Sequence, residues 1–497
     1  MEVAHGLVPQ LLEFLKKVNK LTIKNIFYLS LFFHLCAVIF SSGFHHFDEH
    51  FQIYEFINLK LGKATAADLP WEFRERIRPW LQPYLYLFVY KALSSVGVIS
   101  PFVMALVFRL LTSLFGLYAL CRFFTLIEQW FTLKRDQVVA WALLNLCWFV
   151  PYIQTRTSSE SLSISFFLLG MVYFLSTNSK NIRWQSSFYA GVFFGLAYLA
   201  RSQMAIPVAF LWFWALAVDK RRWSLLLSTA FAIVLMNIVG VAIDSLGYGS
   251  FTISIWHYFR TNFLEGIMSS VKQYPVYWYF YWSFTRGIPP VSIVLIVATV
   301  FSWWKYRKHP LVWATLPLFL FHSFVGHKEL RYIFPVIILS PLFLAFLYRD
   351  YKDNFEFLMT RKFIKPLMTF VIGVNFLFLF ISSFRAANPS VNFYRYLYNR
   401  TDIAKIYAHN ESPFVMLGLP ISFYKKDNFN VQKFKDFEDI NDGTPKYVFF
   451  SKGKDIVAME KNTQCSLEYM TYPRFVINYN VGNWLSRSRV WSLFYCQ

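Results

Sequence analysis

Residues 45–56 read HHFDEHFQIYEF and follow directly on the apolar run IFYLSLFFHLCAVIFSS at 26–42. Three histidines and three carboxylates therefore stand just beyond a stretch suited to a lipid bilayer, and where they lie decides how the rest of the chain is threaded. The chain has 497 residues, 56% of them hydrophobic and 21% aromatic. Uncharged apolar runs recur near the roughly 20 residues that a helix needs to cross a hydrocarbon core. This is the composition of a polytopic α-helical membrane protein.

Lysine and arginine number 49 against 28 aspartates and glutamates, a net charge of +21. In a soluble protein that excess would suggest a nucleic-acid partner. In a membrane protein basic residues collect in cytoplasmic loops and set topology, and no nucleic-acid recognition motif accompanies the charge here. The five cysteines show no metal-ligand spacing. Cys36, Cys121 and Cys147 lie in apolar runs and read as small core residues, whereas Cys465 and Cys496 lie in a polar tail where an oxidising compartment would let them pair. The stretch LLEFLKKVNKLTIKN (11–25) is basic and partly amphipathic, and no small-residue cleavage site follows the run at 26–42. That run is expected to be a signal-anchor first span with its basic start in the cytoplasm.

Parity extends the topology, because each span reverses the side of the membrane. The basic loops KRD (134–136), KNIRW (180–184), DKRRW (219–223), KYRKHP (305–310) and the stretch 349–365 all fall on the cytoplasmic side if spans lie near 137–153, 159–177, 187–200, 203–218, 223–243, 289–304, 310–326, 331–348 and 363–383. TRTSSES (155–161), the segment 244–288, HKELR (327–331) and the tail from about 384 then face the other side. Between 83 and 125 parity requires an odd number of crossings, yet two apolar runs are present. The run 84–98 is short and ends at GVISP, so it reads as a juxtamembrane or re-entrant helix, and 101–124 as the span. The total is about eleven spans, with RSQ (201–203) a polar break at membrane level that is tolerated near an interface or facing protein and water. In the tail, PFVMLGLP (413–420) and KYVFFSK (446–452) look like short strands of a small α/β domain. The expected division is a transmembrane domain at 1–383, with a structured first loop at 43–100, and a non-cytoplasmic domain at 384–497.

The dense ionisable clusters all fall on the non-cytoplasmic side. A transporter tends to place its charged site near the bilayer midplane on broken helices, whereas an enzyme acting on a membrane-borne substrate at the interface needs this one-sided arrangement. If 47–55 is helical, Asp48, Gln52 and Glu55 share a face at i, i+4 and i+7, while Asp48 and Glu49 project about 100 degrees apart. A carboxylate beside an acceptor hydroxyl is able to act as general base. In HKELR a helix would align His327 with Arg331 and Lys328 with Arg331, converging donors on an anion such as a phosphate leaving group. Solvated loop acids and snorkelling basic residues are the ordinary alternatives.

Several ordered motifs carry a resemblance. DEHFQIYE with PWEFRERIRPWLQP (70–83), TRTSSESL (155–162), DSLGYG (244–249), WHYFRTNFLEG, YPVYWYF and HKELRYIFP (327–335) resemble, in order, the motifs of glycosyltransferase family 22, the dolichyl-phosphate-mannose-dependent mannosyltransferases. They lie nearest the branch that acts on glycosylphosphatidylinositol (GPI) precursors. Phe47, Pro70 and Pro79 depart from the family pattern. The resemblance implies a GT-C fold and an inverting transfer of mannose from a polyprenyl (dolichyl) phosphate carrier to a lipid-linked glycan. It would take place on the luminal or periplasmic face of the endoplasmic reticulum or a bacterial inner membrane. It further implies Asp48 as base, with Glu49 shaping the acceptor site. Gln52, Glu55, Trp71 and Glu72 are expected on the acceptor sugar, and His327, Lys328, Arg331, Arg78 and Arg74 on the donor phosphate. Tyr277, Trp278 and Tyr279 would pack on sugar or prenyl chain, or anchor at the interface. No metal and no other cofactor is expected, because cationic side chains are able to neutralise the phosphate. The expected partners are membrane lipids and the two lipid-linked substrates, with the protein monomeric. A carrier using another sugar, or a lipid-carrier transporter, are the alternatives.

Overall fold

The computed structural model describes residues 22–175, 184–270, 272–354, 357, 361, 363–436, 444–459 and 464–496. Most of the basic stretches at 11–25 and 180–184, and part of that at 349–365, lie outside the described residues. The chain forms two compact units, one comprising 1–40, 75–82 and 108–385, the other 41–74, 83–107 and 386–497.

The first unit is helical. Among the described residues Ile23–Phe40, Pro101–Trp130, Trp223–Tyr248, Leu330–Asp350 and Ile364–Phe384 are each long and apolar enough to cross a bilayer. Lys134–Leu146 and Phe149–Thr155 together are as apolar and long, and are bent by 56° at the break between them. Ser159–Leu175, Ser202–Ala217, Val291–Lys305 and Pro310–Phe324 are shorter apolar helices, and Trp184–Ala200 is a further helix of 17 residues. Close approach is achieved by small residues, as membrane helices require. A Cβ on Gly191 would come within 2.3 Å of the Thr229 carbonyl oxygen, so Trp184–Ala200 and Trp223–Tyr248 pack backbone to backbone. The expected break at RSQ is present as the 3-10 turn Ser202–Met204. The helix expected at 101–124 runs on to Trp130, because no glycine or proline falls between 124 and the break at 131–133 that precedes the helix starting at Lys134.

The second unit combines first-loop segments with the tail. Five strands order as Asn430–Phe434, Lys405–His409, Lys446–Phe450, Ser492–Cys496 and Cys465–Met470. Lys405–His409 runs parallel to both of its neighbours, and Ser492–Cys496 antiparallel to both of its own. Val448, Phe450 and Phe494 from the sheet meet Ile456, Met459 and Leu485 in the core, and Cys465 and Cys496 form a disulfide across paired strands. KYVFFSK is a strand as expected, but PFVMLGLP is not part of this sheet. It folds into the hairpin Val415–Met416 with Leu419–Pro420, whose turn residues Leu417 and Gly418 both have positive φ. That is the geometry that lets a two-residue loop follow strand twist.

Candidate active site

In the second unit HHFDEHFQIYEF begins as the expected helix and then departs from it. His46 caps Phe47–Glu49, its Nδ1 accepting the Asp48 backbone N–H at 3.3 Å. Glu49 Oε1 reaches back to accept the N–H groups of His45 and His46 at 3.0 and 3.4 Å. The carboxylate thus satisfies two donors at the helix start, as a capping box does. Asp48 is 6% exposed, and its Oδ1 lies 3.4 Å from His46 Nδ1.

His50–Tyr54 is then a π-turn before the α-helix resumes at Glu55–Lys60. The wider turn inserts a residue, so the i, i+4, i+7 face expected for Asp48, Gln52 and Glu55 does not form. Gln52 Nε2 donates to Glu72 Oε1 at 3.3 Å. Glu55 points elsewhere. Its Oε1 accepts from His50 Nε2 at 2.7 Å, Ser422 N at 2.7 Å and Phe423 N at 3.0 Å, while Oε2 accepts from Asn58 Nδ2 at 3.2 Å. The expectation that Glu55 binds acceptor sugar is therefore corrected: the carboxylate is 1% exposed and ties the turn to the tail. Around this tie the His50 ring stacks on Tyr424, and Tyr54 lies against Phe423. Trp71 and Arg74 are exposed on the short helix Trp71–Arg74, with Glu72 buried beneath them.

The first unit holds the cationic candidates. His327, Lys328 and Glu329 are extended, and only Leu330–Ile333 forms a 3-10 turn, so the helical alignment expected for HKELR is also corrected. The cause is pairing: His327 bridges to Gln273, and Tyr274 N donates to the Gly326 carbonyl at 2.9 Å. His327 Nε2 lies 3.3 Å from Glu329 Oε1, and this bond raises the imidazole pKa above its usual value. Lys328 is buried, donating to the carbonyl of Ser323 at 2.8 Å and to that of Val325, the open end of the helix Pro310–Phe324. Burial pushes its ammonium pKa down.

Arg331 binds Glu329 through Nε and lies 3.2 Å from Glu160 Oε1 through an Nη. Glu160 is shared, since Arg201 approaches the same oxygen at 2.7 Å. The Tyr332 ring is flanked by both guanidiniums at 5.7 and 5.8 Å. Glu329 and Glu160 thus link His327, Arg331 and Arg201 into one charged network, with the Lys328 ammonium anchored on the adjoining helix end. Glu160 and Arg201 were not among the expected site residues. Their signals were an acid within TRTSSESL and a cation at the RSQ break, each in apolar surroundings.

Arg78 is positioned through its backbone. Tyr248 Oη donates to the Arg78 carbonyl at 2.8 Å, and Asp244 Oδ1 accepts the Trp80 N–H at 2.8 Å. A Cβ on Gly247 would lie 2.1 Å from the Trp80 ring. DSLGYG is thus a clamp on IRPW, with a glycine where the indole presses on the helix. Of the aromatic candidates Tyr279 is buried and Tyr277 exposed.

The sequence model of the Alg9-like mannosyltransferase family matches residues 25–425. The chain belongs to that family. The match runs through every segment above and ends just beyond the Ser422 and Phe423 amides that hold Glu55. Among curated relatives, the GPI alpha-1,2-mannosyltransferase 3 of Bos taurus is 26% identical over 317 residues, 62% of this chain and 54% of that protein. The Mannosyltransferase APTG1 of Arabidopsis thaliana is 24% identical over 332 residues, 64% and 58% respectively. The chain thus spans about half the length of the curated relatives it matches. ArnT from Cupriavidus metallidurans, solved bound to undecaprenyl phosphate, shares the fold with a TM-score of 0.52 at 13% identity, over 94% of this chain and 97% of that one. The fold is GT-C, and the protein is a multi-pass membrane protein.

Proposed function

We propose that this protein is an inverting α-mannosyltransferase that moves mannose from a polyprenyl phosphate mannose to a GPI precursor, forming an α-1,2 linkage on the luminal face of the endoplasmic reticulum. What carries this reading is the gathering of the cationic groups of His327, Lys328 and Arg331 in one turn of the chain, chemistry that complements a departing lipid phosphate. The names of the curated relatives support the acceptor and the linkage. Asp48 is the general base. It takes the proton of the acceptor hydroxyl as that oxygen attacks the anomeric carbon, and the bond to the carrier phosphate breaks on the opposite face. His46 fixes the backbone that carries Asp48, its Nδ1 accepting the Asp48 N–H at 3.3 Å. Arg331, Lys328, His327 and Arg78 stabilise the leaving phosphate, helped by Arg74. Gln52, Glu72, Trp71 and Glu49 shape the acceptor side, and Glu55 positions the turn that carries Asp48. The reaction proceeds without a metal, because fixed cations supply the charge that a metal would otherwise provide.

The test is transfer by the purified protein from a panel of labelled lipid-phosphate sugars to a synthetic GPI-precursor glycolipid. Mannose should be transferred from the mannose donor alone, with a chelator leaving the rate unchanged. Asp48→Asn should lower kcat by about 10²–10⁴-fold, the range for losing a general base, with its unfolding midpoint kept. Near-normal transfer by that variant would sink the base assignment. Movement of the carrier across vesicles without a new glycosidic bond would make the protein a transporter.

A further inference from the structure

The tail carries two Asn-X-Ser/Thr triplets, Asn399-Arg400-Thr401 and Asn410-Glu411-Ser412. Such triplets accept N-linked glycans only where they meet the modifying machinery and where the folded surface has room for a bulky glycan. They differ in both local structure and neighbours.

Asn399 is the last residue of the helix Ser390–Asn399. That helix buries Val391, Phe393, Tyr394 and Leu397 and turns Asn399 outward. Asn399 and Thr401 are both exposed. Arg400 between them is held by Asp402 at 2.6 Å, Tyr396 at 2.7 Å and Tyr447 at 3.0 Å, so the middle residue is tied down and the two that matter point away. Asn410 is also exposed, but it sits at φ 61, its amide lies 3.0 Å from the His409 ring, and Ser412 precedes Pro413, which restricts its backbone. The same unit contains the Cys465–Cys496 disulfide, a pairing that persists in oxidising compartments. The disulfide points to the oxidising side of the membrane, where a chain meets the glycosylating machinery.

We propose that Asn399 is an N-glycosylation site of this protein. This rests on the luminal placement of the tail made above. The donor class is an oligosaccharide carried on a lipid pyrophosphate. Asn399 Nδ2 forms the bond to the anomeric carbon, the bond from that carbon to the pyrophosphate oxygen breaks, and the amide gives up one proton as the lipid pyrophosphate leaves.

The experiment expresses the full chain in eukaryotic cells and compares electrophoretic mobility before and after peptide-N-glycosidase. The native chain should shift by one glycan. Asn399→Gln and Thr401→Ala should run at the deglycosylated position from the outset, while Thr401→Ser and Asn410→Gln keep the shift. Because mobility is read on denatured protein, a misfolded variant remains informative. A native chain unaffected by the enzyme, or a shift that survives in Asn399→Gln, overturns the proposal. Alkylation without reductant, mapped by peptide at Cys465 and Cys496, separates two failures. Protected cysteines with no glycan mean that the tail is luminal and Asn399 is not modified. Labelled cysteines with no glycan mean that the luminal reading has itself failed.

Discussion

Glu160 shows how much one buried side chain organises. Two guanidiniums share its carboxylate, and neither Arg201 nor Arg331 has much water to fall back on. Removing one partner of a buried ion pair costs about 3–5 kcal/mol, because the charge left behind stays desolvated. Glu160→Gln is therefore expected to lower the thermal unfolding midpoint and to weaken transfer, whereas Glu265→Gln, which breaks the exposed pair with Arg260, should change neither measurably. Equal midpoints for the two variants would show that the network is not structural.

His327 gives a pH dependence with a defined sign. Its bond to Glu329 raises the folded-state pKa above the usual 6.5. Its contribution to stability is fully present below that unfolded value and is lost as pH rises through the raised folded value. The difference in unfolding midpoint between the native protein and His327→Gln should thus be largest in mild acid and fade toward alkaline pH. In a Glu329→Gln background that pH dependence should shrink, because the largest cause of the raised pKa is removed. A difference that grew with pH would contradict the assignment of the cause.

At the scale of the element, the π-turn His50–Tyr54 decides which groups of the first loop face together. A regular helix through 47–55 would have grouped Asp48, Gln52 and Glu55. The inserted residue instead sends Glu55 to the Ser422 and Phe423 amides, each a hydrogen bond to a charged acceptor contributing about 1.5–3 kcal/mol. Glu55→Ala should therefore lower both stability and kcat while leaving KM for the acceptor nearly unchanged. A rise in acceptor KM with the unfolding midpoint kept would return Glu55 to the sugar-binding set. HKELR shows the same effect of context, since strand-like pairing with Gln273 and Tyr274 overrides the helical reading of five polar residues.

At the scale of the molecule, the second unit is assembled from 41–74 and 83–107 together with 386–497, a stretch remote from the first two in the chain. Its disulfide closes a separation of 31 residues, which by the loop-entropy estimate stabilises by about 3–4 kcal/mol. The double variant Cys465→Ala, Cys496→Ala should make the tail the first part cut in limited proteolysis, with the apolar helices still protected. Unchanged cleavage would show that the sheet core alone holds the tail.

Much of this was legible in the residues alone. Apolar runs near 20 residues make the long helices legible, because a bilayer forces backbone bonds to close within each helix and so makes spans visible one at a time. The acids of HHFDEHFQIYEF, the cations of HKELR and the ordered motifs identify the family and the candidate groups. The sequence does not reveal which partners each charge takes. The π-turn, the Glu55 tie to the tail, the sharing of Glu160 by Arg201 and Arg331, and the DSLGYG clamp on Trp80 all join residues remote in the chain or shift a face by one position. Such pairings depend on three-dimensional approach and leave no periodic trace, so only the tertiary structure decided them.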